Sequence, residues 1–166
     1  EGEWPKLFPR DRAKYLKAIA TQLRENAEML GRIETVDTGK LFRETKTQAN
    51  YIAEYYDYFA GLADKVEGTV LPIDKPNMQA ITTRIPIGVI AAIIPWNSQM
   101  LLTATKLAPA LAMGNTVVIK SSELAPAVMF EFVKLIEKTG IPKGVVNVIS
   151  GLANPCGKAL TTHPLV

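Results

Sequence analysis

The sequence has one cysteine and one histidine among its 166 residues. Cys156 has no partner in the chain, which excludes an internal disulfide framework and favours a cytoplasmic setting. The sequence also lacks an apolar run of the ~18 residues that a membrane span requires, and it shows no secretory signal pattern. We therefore predict no membrane association. The chain begins at Glu1 instead of methionine and runs to Val166 without a closing pattern, as expected for a piece of a longer protein.

Charge of one sign is also scarce, since the net charge is only +3. The first helical segment mixes basic and acidic side chains, namely Arg10, Arg12, Lys14, Lys17, Arg24, Glu25 and Glu28. This mixture predicts a solvated helix face and no nucleic-acid partner. Hydrophobic residues make up 48% of the chain and charged residues 21%, which is typical of a folded globular domain.

Helical periodicity marks the first part of the chain, from 1 to 67. Apolar residues recur at helical spacing over 11–33 and again over 45–63, predicting two helices. Five aromatic residues on the second helix favour core packing over a ligand platform, namely Tyr51, Tyr55, Tyr56, Tyr58 and Phe59. From 68 to 86 the pattern changes to short alternating segments, 68–73 and 78–85, separated by a turn. This predicts a hairpin of edge strands.

From 87 to 166 apolar strands alternate with helices. Strands are predicted over 88–94, 116–119 and 144–149, with helices over 100–113, 126–138 and 155–161. Glycines at 114, 140 and 157 follow or interrupt the three helices, as C-terminal caps do. The regular spacing of the strands is that of βαβ units, and continuous apolar strands are typical of a parallel sheet covered on both faces. We predict a doubly wound, Rossmann-like α/β fold.

Ligands in such folds lie beyond the carboxyl ends of the strands. The first strand ends in Ile94-Pro95-Trp96-Asn97, a turn without the glycines that would let the backbone wrap a pyrophosphate. One interpretation is that a rigid Pro-Trp turn presents the Asn97 amide to developing negative charge. The other is that Asn97 caps the helix that begins near Gln99.

The second strand ends in Lys120-Ser121-Ser122-Glu123. An acidic residue after this strand is where dinucleotide folds hold the adenosine ribose, and Lys120 adds a cation beside it. Alternatively, Ser121 or Ser122 caps the following helix and Glu123 complements its dipole. Cys156 has no base near it in sequence, so we do not expect it to be a nucleophile.

The stretch IPIGVIAAIIPWNSQMLLTATKLAPALAMGNTVVIKSSELAP, followed by GIPKGVVNVISG and HPLV, resembles the aldehyde dehydrogenase superfamily. The likeness covers nearly the whole chain and is densest from Pro86 to Val166. It implies that Asn97 donates its amide to the oxyanion formed when a cysteine attacks an aldehyde. It also implies that Ile94, Pro95 and Trp96 line the cofactor cleft, and that Lys120 and Glu123 hold the ribose hydroxyls.

The resemblance implies an NAD(P)-dependent enzyme that oxidises a small-molecule aldehyde to a carboxylic acid through a thiohemiacetal, hydride transfer to nicotinamide and thioester hydrolysis. Family members carry the nucleophilic cysteine and the general-base glutamate downstream of the residues present here. Segment 87–166 would then be a cofactor-binding domain truncated at its C-terminus, with 1–67 as its helical part. Segment 68–86 matches the part that bridges subunits, so the parent is expected to be a homodimer or homotetramer.

Two departures from the family pattern affect these expectations. Ser98 and Gln99 replace an aromatic residue and a proline that border the substrate channel, which leaves the substrate class open. Ser121-Ser122 replace a proline or a small apolar pair. Ser122 lies where a 2′-phosphate would fit, so NADP stays open beside NAD, although Glu123 would repel that phosphate.

Two rival functions follow from the same residues. The chain is also consistent with a truncated nucleotide-binding product that has no chemistry, or with an acylating or semialdehyde dehydrogenase of the same superfamily. The Pro-Trp-Asn sequence favours the hydrolytic branch.

Overall fold

A three-stranded parallel sheet positions the candidate functional residues. The computed structural model describes residues 2–166, which form six α-helices and five strands within that range. In chain order these are α1 (Pro9–Glu25), α2 (Ala27–Thr38), α3 (Phe42–Leu62), β1 (Val70–Leu71), β2 (Ala80–Ile81), β3 (Val89–Ile93), α4 (Gln99–Ala112), β4 (Thr116–Ser121), α5 (Ala127–Lys138), β5 (Val146–Ser150) and α6 (Lys158–Thr162).

The sheet has the strand order β3-β4-β5, and both neighbouring pairs are parallel. The register pairs Ile93 with Lys120 and Ser121 with Ser150, so the carboxyl ends of the three strands meet at one edge. The predicted parallel sheet is confirmed. All three strands lie within two residues of the bounds expected at each end.

Helices α4 and α5 contact each other and the strands beside them. They cover the face whose residues include Ala92, Val117 and Ile119, each at most 2% exposed. The apolar residues of the other face are half-buried or exposed, namely Val89, Ala91, Ile93, Val118 and Ile149. Residues 2–166 therefore place these two helices on one face, whereas the sequence predicted cover on both. Strands added successively in one direction put their right-handed crossovers on the same side of a sheet.

The first three helices form an outer layer. Helices α1 and α3 pack on α4, and α2 packs on α5. The single helix predicted over 11–33 is wrong, because the chain breaks at Asn26 (φ −112°, ψ 15°). The Asn26 side-chain amide donates to the Gln22 carbonyl oxygen at 2.8 Å. Local bonds of this type compete with helix continuation, and α2 then runs on to Gly39 (φ 78°).

Arg12 also departs from the expected solvated face, since it is only 8% exposed. Its Nε donates to the Ala112 carbonyl oxygen at 3.0 Å and its Nη1 donates to the Leu7 carbonyl oxygen. The last carbonyls of a helix lack partners within the helix, so a guanidinium is a suitable donor at the end of α4. Charge alternation along α1 did not reveal this long-range pairing.

The aromatic residues of α3 divide between core and surface. Tyr56 is fully buried and packs edge-to-face on Phe132, with ring centroids 6.2 Å apart. Phe59 lies partly buried against the core. In contrast, Tyr51 and Tyr58 are 49% and 63% exposed. A core role is therefore confirmed for Tyr56 and Phe59 but wrong for Tyr51 and Tyr58, because α3 buries one stripe of side chains along its length.

The predicted hairpin is present, but its ladder is short. Strands β1 and β2 pair antiparallel over two residues each, with Val70 opposite Ile81. Apolar side chains along this segment are exposed, namely Val70, Leu71, Ile73, Met78, Ile81 and Ile85. Within residues 2–166 no helix is both long and apolar enough to cross a membrane.

Asn115, just before β4, joins several segments. Its Oδ1 accepts hydrogen bonds from the backbone N–H groups of Ile87 at 2.7 Å and Gly88 at 3.0 Å. Its backbone carbonyl accepts from the Trp4 indole N–H at 3.0 Å. The residue before it, Gly114, has φ +83°, which glycine adopts without strain. The predicted glycine caps are confirmed at 114 and 140, whereas Gly157 has helical φ and ψ and precedes α6.

Candidate functional site

Two turns lie side by side at the carboxyl edge of the sheet. The first follows β3 and contains Asn97, and the second follows β4 and contains Glu123. The backbone N–H of Ile94 donates to the Lys120 carbonyl oxygen at 3.0 Å, which continues the strand pairing up to the start of both turns. The structure therefore brings together the two groups of residues that the sequence singled out.

The first turn presents its side chains outward. Trp96–Ser98 form a single helical turn before α4, and Pro95, Trp96 and Asn97 are all exposed. The Ile94 side chain is 2% exposed and belongs to the core. At this position only the backbone could line a cofactor cleft at the carboxyl edge of the sheet. Within residues 2–166 the Asn97 side chain forms no hydrogen bond, and Ser98, which precedes α4, makes no side-chain cap. The capping interpretation of Asn97 therefore receives no support, and its amide is free to meet a ligand.

The second turn contains an ion pair between a buried Lys120 and an exposed Glu123. Lys120 is 5% exposed, and its Nζ lies 2.9 Å from Oε2 of Glu123 and 3.2 Å from the Ser121 carbonyl oxygen. The Glu123 side chain is 38% exposed. Its own backbone N–H and then the Lys120 ammonium lower the pKa of the Glu123 carboxyl below its ordinary value of 4.5. Glu123 is therefore an ionised carboxylate at neutral pH.

The predicted alternative, in which Ser121 or Ser122 caps the next helix, is wrong. Helix α5 begins only at Ala127, and the Ala127 N–H donates to Oδ2 of Asp37 at 2.8 Å. Ser122 Oγ instead accepts from the Leu124 N–H at 3.2 Å, which shapes the turn. Sequence reasoning missed Asp37 because the cap comes from a residue 90 positions away.

The Lys120–Glu123 pair retains capacity for a ligand. An ammonium has three donors, and within the described residues two acceptors engage it; a carboxylate has two oxygens, of which one faces Lys120. One donor of the buried Lys120 ammonium and one oxygen of the exposed Glu123 carboxylate could therefore hold a ligand with two neighbouring hydroxyls, such as a ribose. Ser122 is 7% exposed, and its Oγ accepts from the Leu124 N–H, which leaves the hydroxyl hydrogen available to donate to a phosphate.

The two residues that follow Asn97 contact different elements. Ser98 Oγ accepts from Lys40 Nζ at 3.1 Å, and Lys40 is paired with the buried Glu34 at 2.9 Å. Gln99 is 1% exposed, and its side chain is directed toward the turn after β4. The family comparison had placed both positions beside a substrate channel, but the Gln99 side chain does not face open space.

Cys156 lies half-buried in the irregular segment Ala153–Gly157. Its side chain packs beside Gly151, where an added Cβ would approach Cys156 Cβ to 2.9 Å. Across residues 2–166 we find no hydrogen bond between Cys156 and a basic group. That Cys156 is not a nucleophile stays a prediction.

Comparison with known proteins agrees with this geometry. The profile of the aldehyde dehydrogenase family matches residues 1–166. The chain is 53% identical to (Z)-2-((N-methylformamido)methylene)-5-hydroxybutyrolactone dehydrogenase of Acinetobacter baylyi, matching 100% of this chain and 34% of that protein.

Two solved structures show the same fold. Betaine aldehyde dehydrogenase of Staphylococcus aureus, as a point mutant in complex with NAD+, superposes with a TM-score of 0.95 at 38% identity, covering 99% of this chain and 34% of that one. An NADP-dependent enzyme of E. coli gives a TM-score of 0.95 at 34% identity, covering 98% and 34%. The chain therefore belongs to the aldehyde dehydrogenase family, and it spans about a third of the length of these relatives.

Proposed function

We propose that this chain supplies the nucleotide-binding part and the oxyanion donor of an NAD(P)-dependent enzyme that oxidises an aldehyde to a carboxylic acid. The observation that carries the proposal is the juxtaposition at one sheet edge of an unengaged amide, Asn97, and a preformed ammonium–carboxylate pair, Lys120 and Glu123. Family membership and likeness to dehydrogenases with bound NAD+ support it.

Asn97 acts on the reacting carbonyl. Attack by a thiolate turns the aldehyde oxygen into an oxyanion, and a side-chain N–H aimed at that oxygen stabilises the charge as it develops. Pro95 and Trp96, which are exposed in the same turn, line the cofactor cleft beside the backbone of Ile94. The nucleophilic cysteine and the general base are contributed by the remainder of the parent protein, as the family resemblance implies.

Lys120 and Glu123 bind the adenosine ribose. The carboxylate accepts from a ribose hydroxyl, and the spare Lys120 donor reaches the other, so the nucleotide is held without rearranging the pair. When bound, NAD supplies the two-electron acceptor for aldehyde oxidation. The charge of Glu123 disfavours a 2′-phosphate, so we propose NAD as the preferred cofactor over NADP.

The exposed apolar segment 68–86 is proposed as the element through which parent molecules form a homodimer or homotetramer. Its apolar side chains, such as Met78 (61% exposed) and Ile85 (76% exposed), lack cover within residues 2–166. We further propose that 1–67 and 87–166 together form the cofactor-binding domain and that the enzyme works in the cytoplasm on a small-molecule aldehyde.

The experiment is to express the full-length parent protein and to follow NADH formation at 340 nm with a panel of aldehydes. Aldehyde-dependent NAD reduction with carboxylic acid as product is the expected result. An acyl product that appears only with a thiol acceptor would assign the parent to the acylating branch. If NAD binds but no aldehyde is turned over, the chain is a nucleotide-binding module and the enzymatic proposal is wrong.

A further inference from the structure

Gln99 links the two turns of the site. It lies two residues after Asn97, as the first residue of α4, and its side chain is 1% exposed. Its Oε1 accepts hydrogen bonds from Ser121 Oγ at 2.6 Å and from the Ser122 N–H at 3.3 Å. Its Nε2 donates to the Ala125 carbonyl oxygen. A single amide thus contacts both ends of the segment that contains Glu123.

These contacts enclose the proposed ribose-binding pair. Ser121 follows Lys120 directly, Ser122 precedes Glu123 directly, and Ala125 is two residues beyond Glu123. Ser121 and Ala125 are at most 1% exposed, so water does not replace these hydrogen bonds easily. A primary amide is suited to this position because it offers an acceptor and a donor on adjacent atoms.

Gln99 and Ser121 are also two of the positions at which the sequence departs from the family pattern noted above. In the structure these two departures contact each other, through the 2.6 Å hydrogen bond. A buried polar side chain at one position thus meets a buried polar side chain at the other. Each would be costly to bury alone.

We propose that Gln99 is a positioning residue: it holds the segment from Ser121 to Ala125 in the conformation that binds nucleotide and fixes that segment relative to Asn97. The inference rests on the proposed function and extends it to a residue that does not itself reach the ligand. Because Gln99 acts through Lys120 and Glu123, its loss weakens nucleotide binding more than it slows the chemical step.

The test uses the full-length parent protein and the variant Gln99→Met, which keeps the side-chain length but removes the three hydrogen bonds. We expect the Kd and KM for NAD to rise about tenfold, while kcat at saturating NAD stays within about twofold, as for a loss of uniform binding. Ser121→Ala removes the 2.6 Å hydrogen bond to Gln99 Oε1, together with the 3.3 Å contact of Ser121 Oγ with the Ser122 carbonyl oxygen, and is expected to weaken NAD binding about two- to threefold. This milder variant decides the question if Gln99→Met does not fold.

Thr103→Val is the matched control. Thr103 is fully buried one turn further along α4 and its hydroxyl donates to Met129 Sδ at 3.7 Å, away from the ribose-binding pair. We expect this variant to change the melting temperature but not the Kd for NAD. If Gln99→Met and Ser121→Ala likewise change only the melting temperature, Gln99 is merely structural and the inference is overturned.

A double-mutant cycle separates this inference from the proposed function. In a Glu123→Ala background, Gln99→Met is expected to raise the Kd for NAD clearly less than about tenfold, since the part of its effect that passes through the carboxylate is missing and only the part through Lys120 remains. A full tenfold effect in that background would overturn the proposed route. Wild-type protein that fails to bind NAD would overturn the proposed function as well, whereas weakened binding in Glu123→Ala together with normal binding in wild type and in Gln99→Met overturns only the role of Gln99.

Discussion

The two turns at the sheet edge differ in the exposure and the hydrogen bonding of their polar side chains. After β3, Pro95, Trp96 and Asn97 are exposed, and the Asn97 amide is unengaged within residues 2–166. At the end of β4 and just after it, each residue is at most 7% exposed and takes part in hydrogen bonds, namely Lys120, Ser121 and Ser122.

This contrast matches the two tasks that we propose. A group that stabilises charge only in the transition state must be placed accurately yet remain unpaired until the reaction occurs. A group that binds the same ligand throughout the reaction gains from being fixed beforehand, because less ordering is required on binding. The first turn therefore has the properties of a catalytic donor, and the second those of a binding surface.

The largest expected effect comes from removing the free amide. In the parent enzyme, Asn97→Ala should lower kcat about 10²–10³-fold, the loss typical of an oxyanion donor. The melting temperature should stay unchanged, because Asn97 is exposed and makes no hydrogen bond within the described residues. Steady-state kinetics and thermal unfolding measure the two quantities, and an undiminished kcat would remove Asn97 from this role.

A second asparagine provides the opposite case. Asn115 is 6% exposed and bonds to Ile87, Gly88 and Ala110. Asn115→Ala should lower the free energy of unfolding by about 2–3 kcal/mol, because two backbone N–H groups lose their acceptor. Denaturant titration gives this value. A loss of activity without loss of stability would contradict the assignment of Asn115 as structural.

Removing the carboxylate of the second turn should affect binding instead of chemistry. Glu123→Ala is expected to raise the KM for NAD about tenfold with little change in kcat, since the ribose contact is equal in ground and transition states. The ratio of the KM for NADP to the KM for NAD should fall at the same time, because the carboxylate that repels the 2′-phosphate is gone. An unchanged KM for NAD would refute the ribose assignment.

The smallest effect concerns pH. The pKa of Glu123 lies below its ordinary value of 4.5 in the folded protein. Its charged carboxylate therefore contributes to NAD binding at neutral pH, and this contribution is lost only as the pH falls through the lowered pKa. The Kd for NAD should therefore be constant from about pH 8 to about pH 5.5. Isothermal titration across this range tests the point, with Glu123→Gln as the variant that lacks the titrating group. A steep rise in Kd near neutral pH would contradict it.

The strands of the sheet and the helices between them could be located along the chain from local patterns. Apolar strands such as Val89–Ile93 and amphipathic helices such as α5 leave a signal in neighbouring residues, so their order was predictable. The break at Asn26 and the burial of Arg12 were not predictable. The first depends on a side-chain hydrogen bond that the periodicity of apolar residues does not reveal, and the second on a hydrogen bond to Ala112, which is distant in sequence.

The site shows the same division. Asn97, Lys120 and Glu123 were identifiable because strand ends concentrate ligands and because the motif resembles a known family. Two partners were missed: Gln99, which contacts the second turn, and Asp37, which contacts the first residue of α5 just after that turn. Their contacts join residues 22 to 90 positions apart, and nothing in the sequence around either residue marks the distant segment that it holds.

The amide of Asn115 has a mechanical consequence for the exposed segment 68–86. Since its Oδ1 fixes the N–H groups of Ile87 and Gly88, the chain is anchored immediately before β3 begins. A displacement of the hairpin would have to break these two hydrogen bonds before it could move β3. The strand that leads to Asn97 is thus anchored by β4-side contacts and not by the hairpin.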